Sequence, residues 1–279
     1  MKSCIGILLL CLSLSACRLS SLGRLPISES SGLWIDSSGS FYTHNDGGNA
    51  PLLYVLDQKG HLQRSINILA PNVDWEALAT DSAFIYLADM GNNLNQRQDL
   101  CIYFFPKSAL DQKEIQPQKI SFYYPEQIAF PAAPWQRHFD AEALFAQGDS
   151  LYIVTKNRHR PHDGWHYLYA LGKEAGPQAA RLCDSVQLKK GGLWQSVTAA
   201  AYREEEQSLY LLSMRHLYRF SFERGRFGPL EQRMRLPLRQ QEALCFGPDA
   251  QLYLTTERSI LSGAKLWRLR PKALKRLQE

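Results

Sequence analysis

Three glutamates occur in the same short sequence context at widely separated points of the chain. Glu76, Glu142 and Glu242 each begin the tripeptide "EAL", and a tyrosine in an apolar run follows each after ten or eleven residues. Two further segments carry a hydroxyl residue, Ser31 or Thr198, in the equivalent position. Carboxylates and hydroxyls without His or Cys form a hard-oxygen ligand set, which suits Ca²⁺ better than Zn²⁺. A fold that brings these five residues together would create a divalent-cation site.

The segments that follow these five residues predict the fold. Each is a pair of β-rich runs, then a third run with a central aromatic, as in "CIYFFP" and "KLWRLR", and in most units a more polar run such as "LQRSINI". Gly, Asp, Asn and Pro separate the runs, which is typical of short strands joined by turns. Five such units predict an all-β chain that forms a five-bladed β-propeller. The spacings of 45, 66, 56 and 44 residues between the five positions indicate insertions in blades two and three.

The two ends of the chain predict how the propeller closes. The last unit has three strands, and "GRLPISESSGL" near the start aligns with "MRLPLRQQEAL" at the start of the fifth unit. We therefore expect the N-terminal segment to supply the missing fourth strand of blade five, which removes open sheet edges. The propeller is expected to span residues 24–279, with Arg24 on the face opposite the five repeated residues.

Residues 1–16 have the pattern of a secretory signal peptide. Lys2 precedes the apolar run "CIGILLLCLSLSA", which is too short to span a bilayer and ends in small residues. The sequence "LSAC" resembles a bacterial lipobox, so Cys17 is expected to carry lipid and residues 17–23 to form a tether. The protein is then exported and lipid-anchored. Because Arg18 follows the cysteine in place of Asp, the outer membrane is the better assignment in a cell with two membranes.

The composition of the chain limits the classes of binding partner that we expect. The chain has 32 basic and 27 acidic residues, and no nucleic-acid-binding module is recognisable, so no nucleic-acid partner is expected. Cys101, Cys183 and Cys245 lie in apolar runs without metal-ligand spacing, which predicts buried free thiols. We expect a monomer.

The propeller fold predicts where the repeated residues lie. The first strand of each blade borders the central channel, so Ser31, Glu76, Glu142, Thr198 and Glu242 should encircle the axis; we call them the central ring. The second strands should deliver further polar side chains to the same face: His44, Asn45, Asp46, Asp89, Lys156, Asn157, Arg215, Glu257 and Arg258. The expected ligand-binding residues are Lys156, Asn157, Arg158, Arg215 and Glu257.

The three ring carboxylates need a source of compensation, because like charges at this separation repel strongly. A bound cation, with Ca²⁺ the best match, would supply it. The alternatives are protonation, or a water-filled channel in which Lys156 and Arg215 neutralise the acids.

The order Ser, Glu, Glu, Thr and Glu around five blades resembles the calcium-activated nucleotidases, or apyrases. The resemblance implies a five-bladed propeller with a central calcium. Thr198 stands where that family has Ser, and the family's nucleotide-binding segments are not recognisable here. The pattern "THNDGG…LLYVLD…DWEALATD" is also similar to bacterial propeller lipoproteins grouped with phytase-like and uncharacterised propellers.

Two functions remain open from the sequence. The first is a lipid-anchored binding protein whose polar face holds a small polar or anionic ligand or a partner protein. The second is a calcium-dependent hydrolase of phosphate esters or anhydrides, in which Lys156, Arg158 and Arg215 hold phosphate groups. The candidates for its catalytic residues are His44, Asp46 and Asp89.

Overall fold

The computed structural model describes residues 19–188, 192–236, 240–258 and 263–269. The expected signal peptide, Cys17 and residues 270–279 lie outside these residues. The chain forms five sheets arranged as a five-bladed β-propeller, which confirms the predicted fold class. Within blades one to four, the four main strands follow one another in chain order from the axis outward.

The strands have the following limits. The first strand, β1 (Leu19–Arg24), lies at the outer edge of blade five. Blade one contains β2 (Ser30–Ile35), β3 (Phe41–Asn45), β4 (Leu52–Leu56) and β5 (Leu62–Ile68), with β9 (Glu114–Ile115) added outside. Blade two contains β6 (Trp75–Thr80), β7 (Phe84–Asp89), β8 (Cys101–Pro106) and β10 (Gln118–Tyr123), with β14 (Gly176–Ala179) added outside.

Blade three contains β11 (Asp140–Gln147), β12 (Ser150–Lys156), β13 (Trp165–Gly172) and β15 (Arg181–Gln187). Blade four contains β16 (Val197–Arg203), β17 (Ser208–Ser213), β18 (His216–Glu223) and β19 (Arg226–Arg235). Blade five contains β20 (Gln241–Phe246), β21 (Leu252–Thr256) and β22 (Lys265–Leu269), followed by β1. Short 3-10 helices span Lys107–Ala109, Pro134–Gln136, Gly192–Gln195 and Glu204–Glu206.

The insertions in blades two and three have a structural role. The insertion in blade two contains β9, which pairs in parallel with β5 of blade one. The insertion in blade three contains β14, which pairs in parallel with β10 of blade two. Each insertion therefore covers the outer edge of the preceding blade, where unpaired backbone groups would otherwise be exposed.

The N-terminal strand closes the propeller as expected, because β1 pairs antiparallel with β22. Its position along the sheet differs from the prediction. Arg24 pairs with Lys265, which pairs with Thr256, which pairs with Gln241 beside the ring residue Glu242. Arg24 therefore lies at the ring face and not at the opposite face.

Arg24 lies at the ring face because the outer strand β1 precedes the "RLP" sequence instead of following it. Residues 19–23, expected to be tether, already belong to blade five. Residues 25–29 then cross to the inner strand of blade one, with the Leu25 amide bonded to the Ala264 carbonyl at 2.9 Å. Leu19 pairs with Leu269, so the chain enters the fold at the face opposite the ring.

The repeated tyrosines stabilise the turns at that opposite face. The hydroxyl of Tyr86 donates to Asp81 at 2.8 Å, and that of Tyr253 donates to Asp249 at 2.8 Å. Equivalent bonds join Tyr42 to Asp36 and Tyr210 to Glu206. In blades one, two, four and five, the tyrosine that follows the ring residue thus ties the hairpin turn to the second strand.

The three cysteines outside the N-terminal segment are free. Cys101 and Cys245 are buried, as predicted, whereas Cys183 is half-buried in the outer strand β15. An outer strand has solvent on one face, and this leaves Cys183 more accessible than a core position.

Candidate functional site

Each central ring residue lies at a β-bulge of an innermost strand. In blade two, Trp75 pairs with Asp89 and Ala77 with Ala88, so that Glu76 has no partner on β7. The same interruption occurs in the other four blades, at the ring residues Ser31, Glu142, Thr198 and Glu242. A bulge re-aims one side chain without ending the strand. The sequence repeat therefore corresponds to a repeated backbone irregularity beside the axis.

The structure brings Ser31, Glu76, Glu142 and Glu242 around one narrow central space of about 10 Å³. This is about the volume that a single water molecule or ion requires. Ser31 Oγ lies 2.9 Å from the Glu76 carbonyl oxygen and 3.5 Å from Glu76 Oε2. Thr198 is 1% exposed, and its hydroxyl has no hydrogen-bond partner within the described residues.

The side chains that line the channel below the ring are mostly apolar. A cavity of about 160 Å³ continues from the ring toward the opposite face, and its wall includes Leu33, Leu78, Leu144, Ala200 and Leu244. At the opposite face it adjoins a wider cavity of about 770 Å³ whose wall carries charged side chains, among them Asp81, Asp149, Lys173 and Arg203.

Two basic side chains already compensate part of the acidic centre. Lys156 Nζ donates to Glu142 Oε1 in a buried ion pair. Arg158 Nε lies 2.6 Å from Asp140 Oδ2, and its Nη2 lies 3.4 Å from Glu142 Oε1. The expected compensation by Lys156 is present, but Arg158 takes the position expected for Arg215. Within the described residues, Arg215 makes no ion pair and is half-buried.

Burial and mutual repulsion shift the ring carboxyls toward the protonated form. Burial and then Glu142 raise the pKa of Glu76 well above its ordinary value. Burial also raises the pKa of Glu242, against the attraction of Lys156. Burial raises the pKa of Glu142 to about 7, although Lys156 stabilises its anion.

A second acidic layer lies directly beside Glu76. Carboxylate oxygens of Asp46, Asp74 and Glu76 lie within 4.8 Å of one another. Burial, followed by repulsion from Asp46 and Asp140, raises the pKa of Asp74 to about 6. Asp74 was not among the expected site residues, although the sequence carries the signal. It lies two positions before the ring residue, where blade three has Asp140.

Other residues expected at this face have structural partners. His44 is buried against Trp75 with ring centroids 5.6 Å apart, and burial lowers its pKa to about 4. Asp89 accepts the amides of Val73 and Asp74 and pairs with Arg97 at 2.8 Å. These contacts hold the loop that carries Asp74.

The remaining expected ligand-binding residues differ in exposure. Asn157 is buried and donates to Asp163 and to the Trp165 carbonyl. Glu257 is buried, accepts from Gln240, and has its pKa raised to about 7 by burial and by Asp46. Asn45 is buried and accepts the amide of Glu29, whereas Arg258 is exposed.

Among the described residues, no helix has the length and apolar character required to cross a bilayer.

Solved structures share the fold of this chain, but the sequence comparisons found no match. No protein-family model and no curated protein matches the chain. A glucose dehydrogenase is similar at a TM-score of 0.52 and 13% identity, over 90% of this chain and 99% of that one. The PQQ-bound aldose sugar dehydrogenase of Streptomyces coelicolor is similar at a TM-score of 0.50 and 11% identity, over 90% and 97%. At these identities the similarity establishes the β-propeller fold alone.

Proposed function

We propose that the protein binds a divalent cation, with Ca²⁺ the best match, at the acidic centre of the ring face. The observation that carries the proposal is the convergence of Asp46, Asp74 and Glu76 beside the ring, with carboxylate oxygens within 4.8 Å. At that distance and an effective dielectric of about 20, each pair of ionised carboxylates repels by about 3 kcal/mol.

The basic residues at the centre are too few to remove this repulsion. Lys156 and Arg158 are engaged with Glu142 and Asp140. The acids that act on one another at this face are more numerous: Asp46, Asp74, Glu76, Asp140, Glu142, Glu242 and Glu257. Lys156 also attracts Asp46, and Arg97 attracts Asp74, but the acids still outnumber these bases. A divalent cation would compensate the remaining negative charge.

The donor set supports a hard cation. Carboxylates and the Ser31 hydroxyl are oxygen ligands, and Ca²⁺ takes six to eight oxygens, including water. Glu142 Oε2 and Thr198 Oγ1 are buried without a hydrogen-bond partner among the described residues. Both oxygens lie on ring residues, where a cation or its water shell would satisfy them.

The cation would form the floor of a site for a small polar or anionic ligand, or for a partner protein, because acidic and other polar side chains surround it on the ring face. The proposed lipid on Cys17 fits this direction. Leu19 enters the fold at the opposite face, and two residues reach at most about 7 Å. The ring face would then point away from the membrane.

The hydrolase alternative has less support. Two of the three basic residues expected to hold phosphate, Lys156 and Arg158, already pair with carboxylates. His44, the expected acid or base, is buried, and its low pKa keeps it neutral. Calcium-dependent phosphate release from a panel of nucleotides and phosphomonoesters would favour the hydrolase.

The binding proposal is tested by Ca²⁺ titration of the wild-type protein and of variants at Asp74 and Glu76. Binding that does not depend on these carboxylates would exclude this site.

A further inference from the structure

A group of titratable side chains lies apart from the central ring, on the same face of blade three. His138 precedes β11, and His159 and Asp163 lie in the connection between β12 and β13. Their side chains are 14%, 18% and 24% exposed. The group is therefore mostly shielded, yet solvent reaches it, as a binding site requires.

The distances within this group are too long for hydrogen bonds and suit metal ligands. His138 Nε2 lies 3.4 Å from Asp163 Oδ2, and His159 Nε2 lies 3.7 Å from the same oxygen. Good N–H···O bonds fall at about 2.7–3.2 Å. Two ligand atoms of a tetrahedral Zn²⁺ site, with bonds of about 2.1 Å, lie about 3.4 Å apart. One ligand atom of each residue lies within 4.8 Å of the others.

The surrounding hydrogen bonds orient His159 as a metal ligand. Its Nδ1 lies 2.6 Å from the carbonyl oxygen of Pro161. A carbonyl only accepts, so Nδ1 carries the proton and Nε2 presents a lone pair toward Asp163. Metal-bound histidines typically donate their other ring N–H to a carbonyl or carboxylate oxygen in this way.

Hydrogen bonds also orient Asp163, and ring packing orients His138. Asp163 Oδ1 accepts from the Asn157 amide group and from the Trp165 backbone amide at 3.2 Å. The other oxygen, Oδ2, is left facing the two histidines. The His138 ring packs against that of His159, with centroids 5.0 Å apart, and edge-on against Tyr167.

We propose that His138, His159 and Asp163 form a binding site for a transition-metal cation of the Zn²⁺ class. Two imidazoles and one carboxylate leave a fourth tetrahedral position for water or an external ligand, as in open zinc sites. His162 is close in sequence, but its Nε2 is bonded to Ser196 Oγ at 3.1 Å. The site is independent of the proposed calcium site, because nitrogen ligands select against Ca²⁺.

The test is a titration of the purified protein with Zn²⁺ in the presence of excess Ca²⁺, followed by calorimetry. We expect one equivalent to bind with Kd at or below the micromolar range. Co²⁺ in place of Zn²⁺ should give the intense visible absorption of a tetrahedral site, which reports ligand geometry directly. The proposal would be overturned if no binding were detected at Zn²⁺ concentrations up to about 1 mM. A Kd of that size corresponds to a binding free energy of about −4 kcal/mol.

Substitutions can distinguish binding at this site from non-specific metal binding elsewhere on the protein. His159→Ala and Asp163→Asn should each weaken Zn²⁺ binding by at least about 100-fold. Loss of a residue that only orients a metal ligand typically weakens binding by about 10- to 100-fold. Both residues lie in a surface loop, and an unchanged circular dichroism spectrum would confirm folding. His61→Ala is the matched control, because His61 also faces an aspartate, at 3.0 Å, and is 67% exposed. Equal Zn²⁺ affinity in wild type and in the two site variants would contradict the proposal.

Discussion

Lys156 and Glu142 form a buried ion pair at the centre of the propeller, with Nζ donating to Oε1. Lys156 comes from the end of β12 and Glu142 from the bulge of β11, so a hairpin of one blade supplies both charges. The acidic side chains at the centre therefore fall into two groups. Glu142 has an internal cation, whereas the carboxylates of Asp46, Asp74 and Glu76 converge without one of their own.

Removing Lys156 should destabilise the protein because it leaves Glu142 buried without its partner. Lys156→Met is expected to lower the free energy of unfolding by about 3–5 kcal/mol, as for other broken buried pairs. The double variant Lys156→Met/Glu142→Gln should recover most of this loss, measured by urea denaturation.

The matched control is Lys173→Met on the opposite face. Lys173 pairs with Asp81 at 2.8 Å, and both side chains are about one-fifth exposed. A solvent-accessible pair of this kind should contribute no more than about 1 kcal/mol. Equal losses at Lys156 and Lys173 would mean that the ring lysine does not compensate a buried acid.

Stability without metal should fall as the pH rises. The pKa values of Glu142 and Glu257 are raised to about 7, and that of Asp74 to about 6. Between the ordinary carboxyl values and these values the folded state binds more protons than the unfolded state, so stability decreases with pH. The buried histidines His44 and His166, whose pKa values are lowered to about 4, act in the opposite direction up to about pH 6.5. In chelator, Tm should therefore drop from pH 6.5 to pH 8. Saturating Ca²⁺ should remove most of this drop, whereas a Tm that rises across this range in chelator would contradict the assignment.

The repeated tyrosines should contribute to stability and not to binding. Tyr86→Phe removes a 2.8 Å hydrogen bond to Asp81 and should cost about 1–2 kcal/mol, since the acceptor is charged. Tyr152→Phe is the control, because the Tyr152 hydroxyl makes no hydrogen bond to another described residue. It should change the free energy of unfolding by less than about 0.5 kcal/mol. Thermal or urea denaturation would show whether the two substitutions differ.

The lipid anchor is a separate expectation that rests on "LSAC". Cys17→Ser should release the protein from the membrane fraction of the cells that produce it. A variant that is processed and still sediments with membranes would point to a different anchor.

The sequence predicted the propeller and the set of ring residues because both follow from a repeat of about one blade. It misplaced Arg24 because the "RLP" sequence marks the end of an outer strand in both aligned segments. Arg24 ends β1, just as Arg235 ends β19. The two aligned segments are therefore equivalent, but the outer strand precedes the "RLP" sequence, whereas the prediction placed it after that sequence.

The charges around the ring were harder to predict. Arg158 and Arg215 both follow the second strand of a blade, and only the path of each loop decides which guanidinium turns inward. Likewise, His138 and His159 lie 21 residues apart in two connections whose conformations no periodic pattern specifies. Asp74 could have been found, because its position two residues before Glu76 repeats as Asp140 before Glu142.

The most direct test of the proposed calcium site is calorimetric titration with Ca²⁺ at pH 7.5, comparing wild type with Asp74→Asn/Glu76→Gln. Asp149→Asn, on an exposed turn at the opposite face, controls for lost negative charge. We predict that wild type and control bind one equivalent, and that the double variant binds at least about 30-fold more weakly, a loss of about 2 kcal/mol. Its metal-free Tm should not fall, because two repelling charges are gone. Unchanged Ca²⁺ affinity in the double variant, or no Ca²⁺ binding by the wild type, would contradict the account.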